Sequence, residues 1–255
     1  MNIDYPTIDR PATPDFVLEV LIDSHRQQCE YDPEADSTIN LSFNSTIQEW
    51  RSACDLVSSR ELGRALNEIW ETNLSDEQWD AVLTPAHEKT LSDVCELIAA
   101  HVAQPIVRPA QFFGGNCLSA GVFLTIRSLL YRAGADVSSI KPSTPIADYT
   151  RRHVALFLDA ISRLAPGRLP PVRIRMPIFN AIAAFGVVVG IIVVVFGFSL
   201  ELAVVSLIGG VLSVCCFVAI SIYGRYLLPT SVDFGSIRTF RDLSHSIAEY
   251  QAEPK

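Results

Sequence analysis

Cys117 is the residue of this chain best placed to do chemistry. It follows Gly114-Gly115-Asn116 and opens an apolar run, which predicts a helix over about 117–131, stopped by Ala133-Gly134. A helix N-terminus stabilises a thiolate, the form that a nucleophilic cysteine needs. Gln111 lies upstream and offers an amide as oxyanion donor. His153 and Asp159 offer a general base and a group to orient it.

The Gln111…Cys117 spacing resembles that of papain-like cysteine proteases, and the resemblance is confined to it. The position after the cysteine is aromatic in those enzymes and is Leu118 here. His153 sits beside Arg151 and Arg152 in a segment of strong helical periodicity. The competing structural reading makes Cys117 a small buried side chain at a crowded helix start, and the sequence favours it.

Other chemistry-bearing residues form no set. His87 and His101 lie fourteen apart, and Cys95 does not complete a metal-ligand spacing with them, so no metal or cofactor is expected. Gly114-Gly115 lacks the lysine and serine of a phosphate-binding loop. Asp76 and Glu77 belong to a helix's first turn, where acids are stabilised by the dipole. Trp50, Trp70 and Trp79 read as core or helix-interface anchors.

These residues must be positioned by helices. Thr13-Pro14 is a helix start, followed by Phe16, Val17, Val20 and Leu21 at helical spacing. Ser45 or Thr46, with Gln48 or Glu49, forms a capping box before Ile47, Trp50, Cys54 and Val57. Another helix from about Ser59 carries Leu62, Leu66, Ile69 and Trp70. Ser75 and Gln78 repeat the box before Trp79. Thr84-Pro85 predicts a helix to about Val102, and Ser143 or Thr144 with Pro145 predicts one to about Leu164. No segment before residue 176 alternates as a strand should. The fold class is therefore mainly α: a helical domain over 1–165, followed by a two-helix transmembrane hairpin and a short C-terminal tail.

The hairpin is the organising stretch. From Met176 to Ile222 the only formally charged residue is Glu201. A first span over 177–198 and a second over 202–222 are each long enough to cross a hydrocarbon core of ~30 Å at about 1.5 Å per residue. Residues 166–176, PGRLPPVRIRM, read as an extended strap, and 223–255 as the tail. The segment after Ser236 carries Ile237, Phe240, Leu243, Ile247 and Tyr250 at helical spacing. The sequence leaves open whether it frays or docks.

Arg163, Arg168, Arg173 and Arg175 crowd the entrance of the hairpin, Arg225 follows its exit, and the connecting loop has no Lys or Arg. The positive-inside rule then places both termini in the cytoplasm of a cell or inner membrane. The four strap arginines are also candidates for contact with anionic headgroups. The start MNIDYPTIDR has no apolar signal region, so the hairpin itself is the expected targeting signal. Of the six cysteines, Cys215 and Cys216 fall inside the second span; the others are scattered without CxxC spacing, as suits a reducing compartment. Gly186 and Gly190 in the first span, and Ser206 and Gly210 in the second, form small faces for helix packing within the hairpin or between two copies. A net charge of −8 argues against nucleic acid as a partner.

The expected function is a membrane-anchored scaffold or regulatory module that binds a protein partner through its cytoplasmic helical domain. The alternatives are a tethered cysteine hydrolase using Cys117 and an oligomeric pore or membrane effector gated by the domain. Topology is directly testable. In intact cells, a cysteine introduced at Ser199 should react with an impermeant thiol reagent, and one introduced at Ser236 should not; the reverse pattern overturns the orientation.

Overall fold

A computed structural model describes residues 5, 7–56, 58–112, 115–175 and 231–253. The chain divides into two compact units, one of Met1–Arg173 with Asp233–Lys255 and one of Ile174–Val232. Both expected membrane spans, with Gly186, Gly190, Ser206 and Gly210, lie outside the described residues. Among the described residues, no helix is long and apolar enough to cross a membrane.

The first unit is mainly helical, with small two-stranded sheets. Helix α1 (Pro14–Gln28) begins as its cap signals: the Thr13 hydroxyl accepts from the Phe16 N–H, and proline occupies the first turn. Helix α2 (Ile47–Ala53) is closed by a capping box of Thr46 and Glu49, and α4 (Asp76–Leu83) by one of Ser75 and Gln78. Between them, α3 (Ser59–Trp70) ends at a left-handed Glu71. With α5 (Leu91–Ala99), these helices enclose one apolar core in which Trp50, Trp70 and Trp79 are all buried. A Cβ on Gly63 would come within 2.8 Å of the Trp79 ring, so glycine is what lets α3 and α4 approach.

Three expectations are corrected. Thr84-Pro85 does not open a helix. Thr84 caps the end of α4, and α5 starts at Leu91 behind a box of Thr90 and Asp93. The intervening turn serves another element: Lys89 O and Ala86 O accept from the Ile47 and Gln48 N–H groups, which the first turn of α2 leaves free. Strands also exist. β1 (Ile8–Pro11) pairs antiparallel with β2 (Ala103–Ile106), and β3 (Ala110–Phe112) with β4 (Gly115–Cys117). β1 and β4 are exposed throughout, so no buried face imposes the alternation that reveals a strand.

Finally, the helix expected up to Leu164 is interrupted. α7 (Ala147–Arg152) stops at His153, and α8 (Val154–Leu156) runs into a π-helical turn, Phe157–Ile161, and a 3₁₀ turn, Ser162–Leu164. Ile146, Phe157, Ile161 and Leu164 are all buried across the break, so apolar periodicity alone reads it as one helix.

The segment after Ser236 docks. It forms α9 (Phe240–Ala252), capped by Thr239 and Asp242, and packs against α6 (Leu118–Arg132). Phe240, Leu243 and Ile247 are fully buried, and the rings of Phe123 and Tyr149 stand edge-on to Phe240. Near its end, Tyr250 donates to Glu19 on α1, and Gln251 Nε2 donates to Leu164 O at 2.6 Å. Burial and the Glu19 bond both push the Tyr250 hydroxyl's pKa up.

The strap is held just as firmly. Leu169 and Val172 are buried. The buried Gln27 amide donates to Pro170 O at 3.2 Å and accepts from Val172 N at 2.8 Å. Beyond it, β5 (Arg173–Arg175) and β6 (Ser231–Asp233) pair with one another.

Gln27→Leu should therefore cost about 1–3 kcal/mol, because the Val172 N–H is left buried and unpaired. Ile247→Ala should cost about 2–5 kcal/mol through the cavity it opens. Urea unfolding of the full chain in detergent, followed at the tryptophans, measures both.

Candidate functional site

Cys117 closes β4 and is the N-cap of α6, with extended backbone (φ −123°, ψ 107°) and no side-chain capping bond. It is exposed, which corrects the expectation of burial. The reason is the hairpin: Ala110, opposite Cys117, is buried, while β4 is exposed along its length. Gln111 pairs with Asn116 in the same ladder. His153 ends α7, half-buried, and Asp159 sits in the π turn, where its carboxylate pairs with Arg163. Among the described residues, no hydrogen bond joins the Cys117 thiol to His153, Asp159 or Gln111.

The strap arginines divide. Arg163 donates to Ile69 O at 2.6 Å, pairs with Asp159 and lies 4.5 Å over the Trp70 ring. Arg168 pairs with Glu253 and lies over Tyr250. Arg173 is exposed in β5, and Arg175 closes that strand. Among the described residues, no group of three His, Cys, Asp or Glu could hold a metal ion.

The structure builds a different site, a groove of about 410 Å³ where α6 meets α9. α6 supplies Ser119, Ala120, Phe123, Leu124 and Arg127, a spacing that keeps all of them on one side of a helix. α9 supplies Arg241, Ser244 and His245, and Pro142 completes the lining. The floor is apolar: Phe123 and Leu124 are only half-buried, although Val122 and Ile126 beside them are fully buried. The rim is basic. Arg127 Nε is buried with no hydrogen-bond partner among the described residues, Arg241 is exposed, and the Ser119 hydroxyl lies 3.5 Å from His245 Nδ1. Among the described residues, neither arginine makes an ion pair.

Asp242, next to Arg241, is committed elsewhere. It accepts from the Thr239 and Arg238 N–H groups at the start of α9, and those bonds hold its carboxyl below the usual carboxylate range. Ser244 is committed as well, donating to Phe240 O at 2.6 Å. The groove needs α6 and α9 together, and residues 176–230 separate them in the chain. The legible hint was the apolar stripe from Ile237 to Tyr250, which said that the last helix has a face to bury but not where.

Compared with family models, curated proteins and solved structures, the chain matches none.

The described cysteines differ in exposure: Cys117 is exposed, Cys29 half-buried, and Cys54 and Cys95 buried. Burial pushes the Cys54 and Cys95 thiols from the ordinary 9.0 up to about 12, and burial also raises Cys29. A raised pKa leaves less thiolate near neutral pH. Site-resolved mass spectrometry of the folded protein under limiting maleimide should therefore find Cys117 modified first, with Cys54 and Cys95 modified only on unfolding.

Proposed function

We propose that this chain is a membrane-anchored regulatory or scaffold module whose helical domain captures a protein partner in the α6–α9 groove. The observation that carries it is the pairing of an apolar floor with three basic groups, Arg127, Arg241 and His245, in a chain of net charge −8. Such a site is complementary to an acidic amphipathic helix. Phe123 and Leu124 receive its apolar face, and the arginines meet its carboxylates.

Anchoring falls to 177–198 and 202–222, with both flanks of the domain on the cytoplasmic side. Arg173 and Arg175 are the strap arginines left to approach anionic headgroups, each contributing ~1 kcal/mol. Gly186, Gly190, Ser206 and Gly210 supply close helix packing, within the hairpin or in a homo-oligomer.

The full chain in nanodiscs should bind a fluorescent Leu/Glu amphipathic peptide and reject its Leu/Lys counterpart. Affinity should fall as salt rises. Arg241→Glu should weaken binding about tenfold, or about 1.4 kcal/mol, without altering the melting temperature. Equal binding of the two peptides, or indifference to Arg241→Glu, overturns the reading.

A further inference from the structure

A second cavity, of about 130 Å³, lies inside the first unit and shares no residue with the groove. It lies among α1, α2, α3 and the π turn, and its walls are largely apolar, with Leu21, Trp50, Leu62, Leu66 and Trp70 prominent. A dry cavity of ~150 Å³ accepts a molecule the size of benzene. The π turn and the 3₁₀ turn after it contribute Leu158, Asp159 and Ser162, and π-helical turns recur at functional sites.

The polar atoms around this cavity are unevenly satisfied. Asp23, 4% exposed, is fully engaged: it accepts from Arg26 at 2.6 Å and from the Ser162 hydroxyl. Asp159 is paired with Arg163. His25 Nε2 lies 3.1 Å from Asp36 O. Two donors remain, Trp70 Nε1 and Arg163 Nε; both atoms are buried, and among the described residues neither has a protein acceptor. Trp70 is 6% exposed, and both side chains line the cavity. A buried donor without an acceptor is strongly disfavoured, and a polar guest in the cavity is what can satisfy it. Asp23 is paired with Arg26 from outside the lining, and Asp159 with Arg163, the one arginine in it, so the lining offers no uncommitted cation with which to hold an anion.

We propose that this cavity is a binding site for a small, neutral, carbonyl-bearing molecule with an aromatic or branched apolar body. Its carbonyl oxygen accepts from Trp70 Nε1 and Arg163 Nε, and its body fills the space between Leu62 and Leu66. Ile69, an exposed apolar side chain in the lining, marks the mouth.

The probes are benzamide, toluene and benzoate, titrated by calorimetry into the full chain in nanodiscs. Benzamide should bind saturably, one per chain, and at least tenfold more tightly than toluene or benzoate. Trp70→Phe keeps a ring in place and removes the N–H; it should bring benzamide down about tenfold while leaving toluene unchanged. Leu66→Phe, which fills the cavity, should abolish binding of all three, and the Arg241→Glu change in the groove should affect none. Melting temperatures confirm that each variant folds, and should Trp70→Phe not fold, the benzamide-to-toluene ratio and Leu66→Phe decide. Absence of saturable benzamide binding, a benzamide affinity no better than toluene's, or full benzamide affinity in folded Trp70→Phe overturns the site.

Discussion

The fold of the first unit depends on where two late segments of the chain are held: residues 169–172 against α1, and α9 against α6. The first is fixed by one buried amide. Gln27 uses both its donor and its acceptor on backbone groups of the strap, and Arg26 adds a bond to Leu169 O. A glutamine so placed is hard to replace, since an apolar substitute leaves the strap's polar backbone buried without partners. The second is fixed by apolar burial, with polar bonds at its far end that reach α1, the 3₁₀ turn and β2. Both contacts cross large sequence separations, so the unit cannot complete its core until the chain has returned from residue 230.

The same economy of charge shapes the two candidate sites. Most cations near the core are consumed internally: Arg26 by Asp23, Arg163 by Asp159 and the Trp70 ring, Arg168 by Glu253 and the Tyr250 ring. These pairings remove Arg163 and Arg168 from the group that reads, in the sequence, as one basic strap. They also leave Arg127 and Arg241 conspicuous. Among the described residues these two make no ion pair, and they stand beside the half-buried Phe123.

Local signals were read well where one side chain answers to one neighbouring turn. Thr13, the Thr46–Glu49 box and the Ser75–Gln78 box all start helices as their spacing says, because a cap is satisfied within four residues and needs no distant partner. The three tryptophans are buried for the equally local reason that their helices are amphipathic. Misreadings occurred where a distant element intervened. Residues 85–90 form a turn because α2 requires their carbonyls, and β1 pairs with a strand some ninety-five residues away by register. Cys117 is exposed because it lies on β4, the strand of its hairpin that is exposed along its whole length.

From its amino acids alone, then, this protein is a mainly helical domain followed by two long uncharged stretches, with its caps and most of its core residues identifiable. Composition and short-range spacing suffice for that, because helix initiation and apolar burial act within a turn or two. Tertiary structure alone decided that the last helix packs on α6, that Arg163 and Arg168 pair with carboxylates while Arg173 stands exposed in β5, and that α6 and α9 make a groove. It also decided that Trp70 and Arg163 present unmatched donors to one cavity. Each of these depends on which side chains meet from distant parts of the chain, or on which acceptors are already taken, and no periodicity within a single helix carries that information.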